Sequence, residues 1–122
     1  MLVETSALIE YLKGDKKVSE IISNSEDFYV SYLTVYEVLI GKVNVANVLD
    51  FLSPFWVIGP TKKDALLASQ IYRRLRDKGK IIDDFDVPIS AQAINNELTL
   101  VTKDKDFVRV KEEFDGLDLM MI

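Results

Sequence analysis

The sequence predicts an α/β fold: three layers, α/β/α, around a central, mostly parallel sheet of four to five strands. Three observations predict it. Short β-branched and aromatic runs alternate with segments whose apolar residues recur at helical spacing. Helix-starting residues and glycine or proline stops fall between them. The chain has 122 residues of 48% hydrophobic composition, enough for one domain with a core, spanning 1–122, and too few for two ordinary ones. Strands alternating with helices bury a parallel sheet on both faces and place ligands at the carboxyl ends of its strands.

Residues 1–4 form the first strand, and Thr5-Ser6 opens a helix carrying Ala7, Leu8, Tyr11 and Leu12 on one side, stopped by Gly14. Asp15 caps a second helix with Val18, Ile21 and Ile22 inward. Residues 28–31 have strand composition, 34–42 look helical, and a short helix over 45–52 stops before Pro54. Residues 55–58 make a third strand, ended by Gly59-Pro60. Thr61 and Asp64 have capping-box spacing and start the longest helix, with Leu67, Ile71 and Leu75 on its apolar stripe, running to about Lys78. The polar stretch 79–85 reads as a loop in which Asp83 and Asp84 are solvated or else serve as auxiliary acids ahead of Asp86, and Asp86 begins a helix through Ile94. A strand over 98–102, a helical turn over 104–111 and a last strand over 117–122 complete the chain. Tyr11, Tyr32, Phe51, Phe55 and Trp56 either line a surface for a partner or belong to the core, and the spacing of most of them favours the core.

Composition removes several chemistries. Without cysteine or histidine there is no disulfide, thiolate nucleophile or imidazole base, so catalysis must use carboxylates, hydroxyls, amines or a bound ion. No apolar run approaches the roughly 20 residues that span a bilayer, and the first residues lack a secretory leader, so a cytoplasmic protein is expected. A net charge of −5 argues against a surface that coats nucleic acid by bulk electrostatics. Arg73, Arg74, Arg76, Lys78 and Lys80, and after them Lys103, Lys105, Arg109 and Lys111, either flank an acidic pocket or form solvated helix faces.

Four acids stand where an apolar strand gives way to polar residues or a helix begins: Glu4, Glu37, Asp86 and Asp104. With the first and fourth strands adjacent, Glu4 and Asp104 emerge at one rim, and Glu37 and Asp86 arrive on helices that can pack above it. Carboxylates gathered so closely repel one another unless a cation compensates. In a chain without His or Cys, oxygen-only coordination favours Mg²⁺ or Mn²⁺. Each acid also has a structural explanation: Thr34 and Glu37 have capping-box spacing, and Asp86, Asp104 and Asp106 suit helix caps.

The residues around these acids resemble a known family. Leu2-Val3-Glu4-Thr5-Ser6-Ala7-Leu8-Ile9 is similar to the opening of a PIN domain, and Thr34-Val35-Tyr36-Glu37-Val38-Leu39-Ile40-Gly41 to its second motif. Asp86-Val87-Pro88-Ile89-Ser90-Ala91-Gln92-Ala93 and Leu100-Val101-Thr102-Lys103-Asp104-Lys105-Asp106-Phe107 match the third and fourth. In order and spacing the four cover essentially the whole chain. The resemblance is closest to the small toxins of the VapC type, Mg²⁺-dependent ribonucleases paired with an antitoxin protein (VapB-like) and with a second copy of themselves in a homodimer. It implies that Glu4, Glu37, Asp86 and Asp104 are the catalytic, metal-binding carboxylates. It also implies that Thr5, Ser6, Thr102 and Asp106 form a polar ring orienting them. The implied reaction is hydrolysis of an RNA phosphodiester by metal-activated water.

The chain departs from the family at Glu4, where Asp is usual, and the longer side chain moves the carboxylate by about one C–C bond, ~1.5 Å. Three outcomes stay open at this point: a site adjusted around Glu4, a preference for Mn²⁺, or lost turnover with the fold kept. The alternative function is therefore an inactive PIN-like module that binds RNA or a protein partner without cutting. A receiver-like phosphoacceptor fits poorly, because Gly59-Pro60 stands where its acceptor Asp belongs.

Overall fold

The computed structural model describes residues 1–122. β1 (Leu2–Val3) leads into α1 (Thr5–Leu12) and α2 (Lys16–Ser23), and β2 (Tyr29–Ser31) into α3 (Tyr32–Leu39) and α4 (Val45–Leu52). β3 (Trp56–Ile58) is followed by α5 (Lys62–Asp77) and α6 (Asp86–Asn95), β4 (Leu100–Thr102) by α7 (Asp106–Glu113), and then comes β5 (Leu119–Met121). The strands form one sheet in the order β3-β2-β1-β4-β5, and every neighbouring pair is parallel. The sheet is thus five-stranded and wholly parallel. The order steps outward from β1 to β3 on one side and through β4 to β5 on the other, so the switch of direction falls at β1–β4. An open parallel sheet forms a crevice at such a point.

Register and the two-residue period of a strand explain the layers. Leu2 lies opposite Leu100 and Val3 opposite Val101. Leu2 and Leu100 face a core built with Ile71, Leu75, Ile89, Phe107 and Val110 from α5, α6 and α7. Val3 and Val101 face the other core, with Ala7, Leu8, Val18, Ile22, Val48 and Leu52 from α1, α2 and α4. Successive residues pointing to opposite faces, both apolar, are what a strand covered on both sides requires.

Helix starts follow capping chemistry in most places. Asp15 accepts the Val18 N–H at 3.1 Å, Asn44 that of Asn47 at 3.0 Å, and Thr61 Oγ1 that of Asp64 at 3.1 Å. Gly14, at φ +84°, takes the left-handed turn that ends α1. Two capping expectations are corrected. Ser31, not Thr34, starts α3, accepting the Leu33 N–H at 3.1 Å, so Thr34 and Glu37 lie inside the helix and are free for other partners. Asp86 is not an N-cap: the cap position is Phe85, and Asp86 is the first helical residue with no side-chain cap bond.

The core assignment of the aromatics also changes. Phe55 is buried and packs edge-on against Phe28 and Tyr11, but Tyr32, Phe51 and Trp56 are exposed. Trp56 sits on β3, an outer strand of the sheet, where its face has no helix to cover it. No helix is long and apolar enough to cross a membrane.

Candidate metal and active site

The pairing of β1 with β4 brings residues 4 and 102–106 to one rim. Glu4 follows β1 and serves as the N-cap of α1. Its Oε2 accepts the Ser6 N–H at 3.0 Å, while Oε1 accepts the hydroxyl protons of Ser6 and Thr102 at 2.5 Å each. Each hydroxyl has a single proton. The 3.2 Å approach of Ser6 Oγ to Thr102 Oγ1 is therefore a contact and not a bond, since both protons already point at Glu4. The two hydroxyl oxygens accept in turn: Ser6 Oγ from the Lys103 N–H at 2.9 Å and Thr102 Oγ1 from the Asp104 N–H at 3.0 Å. A buried carboxylate is thereby tied into the turn after β4. The extra methylene of Glu, compared with Asp, is spent in folding the carboxylate back over its own helix start.

Beyond that turn, Asp104 Oδ1 accepts the Asp106 N–H at 2.9 Å. Asp106 is the first residue of α7 and Asp86 the first of α6. The positive ends of two helix dipoles therefore face carboxylates, an offset to their repulsion. Asp86, Asp104 and Asp106 each offer a carboxylate oxygen, and these oxygens lie within 4.8 Å of one another. Pro88, in the first turn of α6, needs no partner for an N–H and so fits a helix that begins at Asp86.

Glu37 reaches the rim from α3. Its Oε1 accepts the Thr5 hydroxyl at 2.9 Å, and the Thr5 oxygen lies 3.1 Å from Thr34 Oγ1. Burial pushes the Glu37 carboxyl up, the Thr5 hydrogen bond opposes this, and Glu4 and Asp83 add to the rise. Asp86 is far more perturbed. Burial first, then the charges of Glu4, Asp104, Asp83 and Glu37, push its carboxyl up to about 8. None of the chain's ion pairs includes Glu4, Glu37, Asp86, Asp104 or Asp106. Clustered carboxylates without a countercharge, all oxygen and no nitrogen or sulfur, are a donor set that fits a hard divalent cation.

All four sequence-selected acids meet at this rim: Glu37 carries the field of Glu4, and Asp86 the fields of Glu4, Asp104 and Glu37. The structure adds Asp106 to the tightest group and leaves two of the four outside it, Glu4 bonded through both oxygens and Glu37 bonded to Thr5. Thr5, Ser6 and Thr102 hold carboxylates. Asp83 is exposed, as a loop residue should be, and its Oδ1 accepts the Phe85 N–H at 3.0 Å, yet its field reaches both Asp86 and Glu37. The sequence offers it both as a solvated loop residue and as an auxiliary acid ahead of Asp86, and its exposure and its field agree with both. The basic residues divide: Lys103 and Lys105 flank Asp104 in sequence, and Arg73 lines a cavity with Asp84, Val87 and Pro88 next to Asp86. Arg74 covers the Phe114 ring, Lys80 pairs with Glu113, and Lys103 with Glu10.

Comparison with known proteins agrees with this geometry. The PIN domain family model matches residues 1–113. The chain is 32% identical over 116 residues to Ribonuclease VapC1 of Methanocaldococcus jannaschii, covering 92% of this chain and 82% of that protein. It is 30% identical over 108 residues to Ribonuclease VapC19 of Mycobacterium tuberculosis, covering 83% and 86%. The fold superposes on the crystal structure of DNA-bound VapBC from Salmonella typhimurium with a TM-score of 0.87 at 23% identity, over 98% of this chain and 96% of that one. A match over nearly the full length, by sequence and by fold, with the acids gathered at the carboxyl rim of the sheet, makes this chain a member of the PIN domain family.

Proposed function

We propose that the chain is a metal-dependent endoribonuclease, the toxin of a toxin–antitoxin pair, with Glu4, Glu37, Asp86, Asp104 and Asp106 as its working carboxylates. The observation that carries this reading is the uncompensated cluster of Asp86, Asp104 and Asp106 in a family member whose relatives are named ribonucleases. Those three aspartates would hold Mg²⁺ or Mn²⁺. Such an ion, when bound, activates water and polarises a phosphoryl oxygen.

The protein's own groups divide the remaining work. Glu37 Oε1 is occupied by Thr5, which leaves Oε2 to take the proton of the attacking water, and a carboxyl raised by burial is the better base for it. Glu4 accepts from three donors, and through Thr102 this fixes the turn that carries Asp104. Glu4 is thus a positioning residue here, and its length serves the helix cap.

As partners we propose an antitoxin protein of VapB type and a second copy of the chain. The exposed Ile40, Leu49 and Phe51 offer apolar surface for one of them. The test is cleavage of a mixed-sequence, fluorophore-quenched RNA panel by the natural protein and Asp86→Asn, with Mg²⁺, Mn²⁺ or EDTA. Metal-dependent cutting lost in the variant supports the nuclease. Silence of a folded protein under every condition overturns it in favour of a module that binds without cutting.

A further inference from the structure

Two buried side-chain polar atoms in the chain lack a hydrogen-bond partner, Asp64 Oδ2 and Gln92 Oε1. Both side chains line the same cavity, of about 370 Å³, whose other walls include Tyr32, Pro60, Phe85 and Pro88. Each orphan is held in place by its own residue's remaining bonds. Asn95 Nδ2 donates to Asp64 Oδ1 at 2.8 Å, and Gln92 Nε2 donates to the carbonyls of Gly59 at 3.2 Å and Ile58 at 3.4 Å. Those two carbonyls fix the amide, because the flipped group would set oxygen against oxygen. No Lys or Arg pairs with Asp64. The two orphans are therefore unsatisfied acceptors in the wall of a cavity whose lining also includes the exposed carboxylate of Asp84, a set that suits an occupant bringing donors.

The cavity adjoins the carboxylate cluster, since Phe85 of its wall immediately precedes Asp86. We propose that it is a base subsite of the nuclease, selecting guanine next to the cleaved phosphodiester; this rests on the RNA-cleaving reading above. Sequence-reading proteins stack unpaired bases on aromatic rings and bond their edges, and Tyr32 and Phe85 supply rings. The Watson–Crick edge of guanine sets N1–H and N2–H side by side, two donors for two acceptors. Uracil brings one N–H between two carbonyl oxygens, which a carboxylate repels. Neither orphan oxygen has solvent contact, so binding turns the carboxylate and amide planes toward the base and exchanges the Asn95 and carbonyl bonds that hold them in the free protein for bonds to the base.

The experiment is calorimetric titration with guanosine 5′-monophosphate and uridine 5′-monophosphate in EDTA, which removes any metal-bridged phosphate, on the natural protein, Asp64→Asn and Tyr32→Ala. Asparagine keeps an oxygen for Asn95, and Tyr32 is half-exposed, so both variants should fold. The expected result is guanosine binding at least about 10-fold tighter than uridine, a preference lost in Asp64→Asn, and weaker binding of both in Tyr32→Ala. Equal affinity for the two nucleotides, or a preference untouched by Asp64→Asn, overturns the subsite. So does tight binding of N-acetyl-arginine amide with guanosine ignored, which would assign the cavity to a protein cation. Guanosine selectivity in a protein that cuts no RNA would support the subsite and sink the nuclease; RNA cutting with no nucleotide selectivity would do the reverse.

Discussion

Thr102 donates its hydroxyl proton to Glu4 Oε1 across the β1–β4 seam and, at the same oxygen, accepts the N–H of Asp104. One hydroxyl thus joins the first acid of the chain to the turn presenting two others. Thr102→Val keeps the shape and removes both bonds, leaving a buried carboxylate short of a donor. A loss of about 1–3 kcal/mol in unfolding free energy is expected, read by urea denaturation in EDTA. A change below ~0.5 kcal/mol would mean that Ser6 alone holds Glu4.

Without metal, stability should fall as pH rises. The Asp86 carboxyl is raised in the folded state from 3.8 to about 8, so the native protein holds a proton that the unfolded chain releases. That stabilisation is fully present below about pH 4 and is lost as pH climbs through about 8. In EDTA, other titrations aside, Tm should drop by more than about 3 °C between pH 5.5 and 8.5, and much less in Asp86→Asn.

The same substitution separates folding from metal binding. Asp86→Asn removes a carboxylate that four others repel, so the metal-free protein at pH 8.5 should melt higher than the natural one. Added Mg²⁺ or Mn²⁺ at millimolar concentration should raise the Tm of the natural protein and leave the variant nearly unmoved. Equal shifts in both would remove Asp86 from the ligand set.

Glu37→Gln tests the proton acceptor. Gln keeps an oxygen for the Thr5 hydroxyl and cannot take a proton, so kcat should fall about 100-fold or more while the metal-induced Tm shift persists. Loss of both together would make Glu37 a ligand.

The order of elements and the two faces of the sheet were legible because the strands carry paired apolar residues, as Leu2-Val3 and Leu100-Val101 do, and the helices show their spacing. The acids could be found because each follows a strand or sits in a family motif. What escaped was decided by partners remote in sequence. Thr34 and Glu37 have capping spacing, but Ser31 caps the helix and Thr5 binds Glu37. Asp106 reads as a cap, yet its carboxylate lies with those of Asp86 and Asp104. Tyr32, Phe51 and Trp56 have the composition of a core, and their exposure depends on which sheet edge and helix faces go uncovered.

The β1–β4 seam also sets a schedule. Glu4 leaves the ribosome 98 residues ahead of its bonding partner Thr102, with Asp104 and Asp106 behind that. Local helices can form as the chain emerges, but the seam must wait for β4. A nascent chain therefore has no assembled carboxylate cluster until β4 has emerged. Whatever chemistry the rim performs is withheld from the translating cell until that strand has docked.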